Sequence, residues 1–224
     1  MTASPTSSSA SPLRGLLVAQ FCGAFNDNAW KLIVALLAIR QVSLDMARTD
    51  PAFEMASQAQ TTKAFVVFTL PLMLCSIVAG VLADRISKRT VIMGMKVFEV
   101  TLMAAGTAAL WFDPTAHLLP LIVLGLMGVH SAFFSPAKYG ILPEILPHER
   151  LSAGNGLLEL WSFMAIISGT AAAGILLDAS DPHPWMAGAM LLAVAGAGFV
   201  ASWSIPRVAP ARSEGGVVAT IHGA

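Results

Sequence analysis

Asp27 and Lys31 stand four residues apart inside Leu16–Ile39, a stretch that is otherwise largely apolar. At helical spacing Gln20, Gly23, Asp27 and Lys31 fall on one face, with Asn26 and Asn28 flanking it. A carboxylate and an ammonium so placed have two chemistries open to them. They can close an ion pair along their own helix that merely packs inward, or they can offer separated opposite charges to a polar ligand. Asp27 lies about 11 residues into the stretch, roughly 16 Å at ~1.5 Å per residue. In a bilayer that depth is close to the middle of a core about 30 Å thick. A single charge there costs about 2.5–3.5 kcal/mol, so this face must look into protein or water rather than lipid.

Further polar groups sit inside or beside other apolar runs. His130 and Ser131 occur in the fourth run, and His130 is the sole histidine within a span. It is either a hydrogen-bonded packing residue or a group that lines a pathway and titrates. Lys96 and Glu99 are one turn apart in the third run; Glu159 opens the fifth; Lys138, Glu144 and Arg150 lie on the connection between the fourth and fifth. Lys96 is expected to snorkel toward the headgroups, and the set as a whole to form either a structural network or a gate whose charge pairs exist in one conformation. Positive charge is concentrated in Gly80-Val-Leu-Ala-Asp84-Arg85-Ile-Ser-Lys88-Arg89, at the junction of two apolar runs. Signatures of catalysis are missing: no histidine begins His-x-x-x-x-Asp, there is no Gly-x-x-x-x-Gly-Lys loop, and no Cys/His group has metal spacing. The expectation is no enzyme, cofactor or metal.

These residues are carried by an apolar chain. Of its 224 residues 56% are hydrophobic and 12% charged, against about 25% charged in soluble domains; mean hydropathy is +0.72. Lys+Arg and Asp+Glu balance at 13 each, which speaks against a nucleic-acid partner. Cys22 and Cys75 lie in apolar runs and read as small apolar side chains. Six runs reach the ~20 residues a spanning helix needs: Leu16–Ile39, Lys63–Ala83, Val91–Phe112, Leu118–Phe134, Asn155–Leu177 and Trp185–Ile205. An all-α membrane protein of six transmembrane helices follows, with one long connection, Arg40 to Thr62. Residues 1–12 are expected to be a disordered N-terminal tail and 207–224 a polar C-terminal tail, around a six-helix body at 13–206. Arg14, Arg85, Lys88, Arg89, Lys138, Arg150, Arg207 and Arg212 gather at one side, which places both termini in the cytoplasm. Ala189, Ala193, Ala197 and Ala201 on the sixth run, and Ala165, Gly169 and Ala173 on the fifth, are expected to pack helices closely.

The pattern Gly80-x-x-x-Asp84-Arg85-x-x-Lys88-Arg89 resembles the loop between the second and third helices of major facilitator superfamily transporters. Phe21-Cys-Gly-Ala-Phe-Asn26-Asp27-Asn28, Gly94-Met-Lys96-Val-Phe-Glu99, Ser135-Pro-Ala-Lys138-Tyr139-Gly140-Ile-Leu-Pro-Glu144 and Arg150-Leu-Ser-Ala-Gly-Asn-Gly-Leu-Leu-Glu159 look like its lysophospholipid branch. Those proteins occur in bacterial inner membranes, alone or fused to an acyltransferase and an acyl-carrier-protein ligase. The resemblance implies one half of the fold, made of two inverted three-helix repeats. Substrate-binding candidates are then Gln20, Asn26, Asp27, Asn28, Lys31 and His130, with Asp27 toward a head-group ammonium and Lys31 toward its phosphate. Gating candidates are Gly80, Asp84, Arg85, Lys88, Arg89, Lys96, Glu99 and Glu159. In the superfamily the carboxylate at Asp84 meets a helix end in the second half; here it is free to pair with Arg85 or Arg89. The chain reads as a fragment, or as a subunit that needs a partner for its C-terminal six-helix half. A small-molecule exporter, and a non-transporting membrane module associated with an acyltransferase, stay open as alternatives.

Overall fold

The computed structural model describes residues 11–115 and 118–207, apart from the side chains of residues 11, 12 and 84. Six long helices follow one another: α1 (Ser11–Asp45), α2 (Pro51–Arg85), α3 (Lys88–Phe112), α4 (Leu119–Gly140), α5 (Leu151–Ala179) and α6 (Trp185–Ser202). A helical turn, Leu142–Ile145, and a 3₁₀ turn, His148–Arg150, join α4 to α5. Among the described residues α2 to α6 are long and apolar enough to cross a membrane. The buried polar groups of α1 lower its hydropathy, and its place inside the bundle makes it the sixth span.

The expected long connection does not exist. α1 runs on to Asp45 and α2 starts at Pro51, so five residues join two helices of 35 residues each. Local chemistry sets this boundary. Asp50 accepts a hydrogen bond from the Ala52 amide at 2.8 Å, and Pro51 occupies the first helical position, where its missing N–H is not needed. No proline or glycine interrupts 52–62, so the polar residues there continue the helix beyond the apolar run. At the N-terminus the helix begins at Ser11, which shortens the expected tail by two residues; 1–10 and 208–224 lie outside the described residues.

The packing is two-fold in pattern. α2 packs on α4 and α1 on α5; α3 packs on α4 and α1 on α6; α3 and α6 pack on each other. Exchanging α1 with α4, α2 with α5 and α3 with α6 turns each of these contacts into another of them or into itself, as two inverted three-helix repeats require, whereas the α1–α2 contact has no comparable α4–α5 counterpart. Glycine lets two of these helix pairs approach backbone to backbone. A Cβ on Gly128 of α4 would sit 2.1 Å from the Phe68 carbonyl oxygen of α2, and one on Gly169 of α5 would sit 2.5 Å from that of Phe25 in α1.

The alanine stripes do not pair with each other. Ala165, Gly169 and Ala173 are buried against α1, whereas Ala193 and Ala197 face outward from α6, whose buried face is Ala187, Gly188, Leu191, Ala195, Gly198 and Ser202. The apolar core centres on Trp30, Ile33, Met103, Leu110, Leu124 and Met127. A second cluster, including Leu16, Ile92, Phe134, Ile141 and Leu158, closes the end of the bundle near the α2–α3 junction.

Candidate functional site

α1, α2, α4 and α5 surround a cavity of about 640 Å³, with α3 and α6 behind them. Gln20, Gly23, Ala24, Asp27, Asn28 and Lys31 form its α1 wall, in the register expected of one helical face. Phe68, Leu72 and Ser76 come from α2; His130, Ser131, Ser135, Lys138 and Tyr139 from α4; Glu159, Ser162 and Ile166 from α5.

Asp27 and Lys31 make no ion pair with each other. Ser131 of α4 donates to Asp27 Oδ2, while Asp27 Oδ1 is buried without a hydrogen-bond partner. Lys31 turns the other way, toward α2. Its Nζ lies 4.4 Å from the centre of the Phe68 ring and 4.8 Å from that of Phe65, and donates to Asn28 Oδ1 at 3.4 Å. Asn28 in turn donates to the Ala24 carbonyl at 2.7 Å. The rings supply the negative face a cation prefers, so Lys31 rests without a carboxylate. Asp27 and Lys31 therefore stand on one cavity wall without pairing to each other, and Lys138 and Glu159 line the same cavity. Gln20 donates to Ser162 Oγ at 2.8 Å across the α1–α5 contact.

Asn26 and the Lys96–Glu99 pair occupy a different place. Asn26 is fully buried on the far side of α1, donating to Glu99 Oε1 at 3.1 Å and to the Leu191 carbonyl at 3.2 Å, and does not reach the cavity. The next two residues, Asp27 and Asn28, do, because one residue of helix turns a side chain by about 100°. Lys96 does not snorkel: it is 0% exposed, with Nζ donating to Glu99 Oε2 at 2.6 Å and to the Ala19 carbonyl at 2.5 Å, and lying 4.9 Å from the centre of the Phe134 ring. Two hydrogen bonds and an aromatic face replace the water that the ammonium gives up. The wall between this pair and the cavity is one glycine thick, since a Cβ on Gly23 would lie 3.0 Å from Lys96 Nζ. His130 lines the cavity and stands behind it too, with Nε2 3.8 Å from Glu99 Oε2.

The remaining gating candidates separate. Glu159 lines the cavity and accepts from the Tyr139 hydroxyl. Lys88 pairs with Glu144 at 3.4 Å, and Arg89 Nε donates to the Ile205 carbonyl at 2.7 Å, so the basic junction ties α3 to the α4–α5 connection and to the end of α6. Arg85 is exposed and nothing lies within 4 Å of a Cβ on Gly80; the Asp84 side chain, and with it the expected pairing to Arg85 or Arg89, is outside the described residues. Phe65 and Phe68 were not foreseen as partners of Lys31. Their spacing of three on α2 could have flagged them, though not the neighbour they face.

Residues 16–219 match the profile of the Major Facilitator Superfamily. The chain belongs to that superfamily. It is 33% identical over 207 residues to a protein of Photorhabdus laumondii named lysophospholipid transporter LplT, covering 91% of this chain and 45% of the relative. Proteins of the same name from Escherichia coli and Shigella boydii are 33% identical over 200 residues, covering 89% of this chain and 44% of theirs. The chain thus spans a little under half the length of these superfamily relatives. No solved structure matches it. Its helices make it a multi-pass membrane protein.

Proposed function

We propose that this chain is the N-terminal half of a transporter that carries lysophospholipids, such as lysophosphatidylethanolamine, inward across the bacterial inner membrane. The observation that carries the reading is the separation of Asp27 from Lys31 on one cavity wall. A pre-formed ion pair would have little to offer a zwitterion. Here Asp27 Oδ1 is unpartnered and Lys31 rests on rings, so an ammonium and a phosphate can each replace a weaker contact with a charge-assisted hydrogen bond. The acyl chain lies along Phe68, Leu72 and Ile166 or in the adjoining lipid. Relatives that share this sequence at 33% identity are named for this substrate class.

A C-terminal six-helix half, in the same chain or a partner subunit, completes the carrier. Exposed apolar side chains along α2 (Met73, Leu74, Ile77, Val78) and α5 (Phe163, Ile167) are the faces that would meet it and the lipid. Rocking of the two halves about the cavity gives access to each side in turn. Both termini lie in the cytoplasm, on the side of Arg85, Lys88 and Arg89. Transport, with no covalent chemistry on the lipid, is the whole activity of this half.

The test replaces the matching portion of the Escherichia coli relative with this chain and follows labelled lysophosphatidylethanolamine into spheroplasts. Uptake above an empty-vector control, competed by lysolipid and not by a panel of polar solutes, is expected. Competition by the solutes instead indicates a small-molecule exporter. Co-purification with an acyltransferase in the absence of uptake indicates an anchoring module. Asp27→Ala is expected to lower uptake at least about tenfold, the loss of one charge-assisted hydrogen bond; unchanged uptake at equal expression removes Asp27 from the mechanism.

A further inference from the structure

Two adjoining cavities in the first half of α2 are unused by the transport reading. One is an apolar groove of about 700 Å³, with Val66, Leu70 and Pro71 on the α2 side and Leu118, Ile122 and Gly125 on the α4 side. Gly125 leaves it open, since even a Cβ there would stay 3.6 Å from the Val67 carbonyl oxygen. Val66 and Leu70 stand two residues from Phe68 and Leu72, about 200° round the helix, so the groove opens away from the central cavity. The other is a pocket of about 230 Å³ between α1 and α2 whose polar lining is Gln41, Asp45, Gln60 and Lys63. Lys63 and Leu121 line both cavities. Among the described residues, no hydrogen bond or ion pair engages the side chains of Gln41, Asp45, Gln60 or Lys63. Depth on α2 sets these cavities against the membrane. Lys63 lies about 22 residues before Arg85, or roughly 33 Å at ~1.5 Å per residue, close to the ~30 Å of a hydrocarbon core. The two cations therefore stand at opposite membrane surfaces. From Lys63 the groove descends to Pro71, about 12 Å, and ends short of the bilayer midplane.

We propose that groove and pocket together bind one resident membrane phospholipid with a phosphoethanolamine head group, in the leaflet opposite the basic junction. An apolar groove leading into a pocket that holds one acid, one base and two amides matches an amphiphile with a zwitterionic head. One acyl chain lies in the groove between α2 and α4, and the second stays in the bilayer. At the mouth of the groove Lys63 donates to the phosphate, and in the pocket Asp45 accepts from the head-group ammonium. The amides of Gln41 and Gln60 are left for the ester and glycerol oxygens. Asp45 and Lys63 sum to zero charge, as does this head group. An anionic head group without an ammonium satisfies Lys63 but sets its phosphate beside a like charge at Asp45. Held in this way the lipid bridges α1, α2 and α4 at the end of the bundle where five residues join the first two helices.

The experiment purifies this chain in detergent and reads the binding of diacyl phosphatidylethanolamine and phosphatidylglycerol by native mass spectrometry. One phosphatidylethanolamine per chain is expected to be retained, about tenfold more tightly than phosphatidylglycerol, the worth of one hydrogen bond to a charged group. Lys63→Met is expected to weaken both lipids about tenfold, and Asp45→Ala to weaken phosphatidylethanolamine alone and erase the preference. Both side chains are exposed and outside the packed core, so their loss reads on the head-group pocket and not on folding. Phosphatidylethanolamine with a diazirine in its acyl chain is expected to label Leu70 and Ile122 in the wild type, and to lose that label in Gly125→Leu, which fills the groove. Asp27→Ala, in the central cavity, is expected to change none of these results. Binding that falls with Asp27→Ala but not with Lys63→Met or Asp45→Ala overturns the site. Equal retention of the two lipids by the wild type overturns it too, as does label spread evenly over the outward faces of α2 and α5. Failure of lysolipid uptake with the expected binding intact defeats the transport reading alone.

Discussion

At the scale of single residues the decisive fact is where each charge finds its partner. Lys96 and Glu99 are neutralised inside the bundle, while Asp27 and Lys31 are left for something else. The two sets predict different behaviour. Removing one member of the buried pair, as in Glu99→Ala, is expected to destabilise the fold by about 3–5 kcal/mol, because it strands the other charge. The double replacement Lys96→Met with Glu99→Leu is expected to be milder than either single change, measured by thermal unfolding in detergent. Lys31→Met is expected to leave the unfolding midpoint nearly unchanged and to weaken lysolipid binding about 10- to 100-fold, the worth of a hydrogen bond to a charged group. A binding isotherm in nanodiscs checks it. Position in sequence did not separate these cases. Asn26 and Asp27 are neighbours, yet one lies in the core and the other on the cavity.

At the scale of elements, close crossings and caps decide the geometry of the wall. α4 can bring Ser131 to Asp27 because α1, α2 and α4 lie close together, and the α2–α4 approach depends on Gly128 meeting backbone. Gly128→Val is expected to push α2 and α4 apart, costing about 1–3 kcal/mol from overpacking and lowering disulfide trapping between cysteines placed at Val67 and Gly125. The corresponding α5–α1 crossing at Gly169 is expected to respond the same way. Asp50→Ala removes the α2 cap, worth about 1 kcal/mol, and is expected to speed amide exchange in 51–56 without altering the cavity. Periodicity located the spans. It could not show that polar helix continues from Asp50 onward, because hydropathy reports on lipid contact and not on helix.

At the scale of the molecule, most of the helix packing repeats under exchange of the two three-helix sets, the α1–α2 contact excepted, and α1 and α4 both contribute walls to one cavity. The exchange also leaves α2 and α5 with outward apolar faces, which suit a second half or lipid and are unsuited to water. Orientation is open to direct test. In a background with Cys22 and Cys75 replaced by alanine, a cysteine at Arg85 is expected to react with an impermeant maleimide only after the cells are opened. A cysteine at Met55 is expected to react from outside. Labelling of Arg85→Cys in intact cells would reverse the topology.

By itself the sequence determined the number of helices, their membrane setting and the superfamily, since burial in lipid needs only length and apolar content, and the family's motifs are contiguous. It also determined that Asp27 and Lys31 share a helix face, a matter of 100° per residue. Only the tertiary structure decided which charges meet. Ser131 takes Asp27, the Phe65 and Phe68 rings take Lys31, and Glu99 draws in Lys96, Asn26 and His130. Except for Lys96, one turn from Glu99 on α3, those partners come from other helices, and the side chain that a charge meets across a helix contact depends on crossing points that spacing along one chain does not encode.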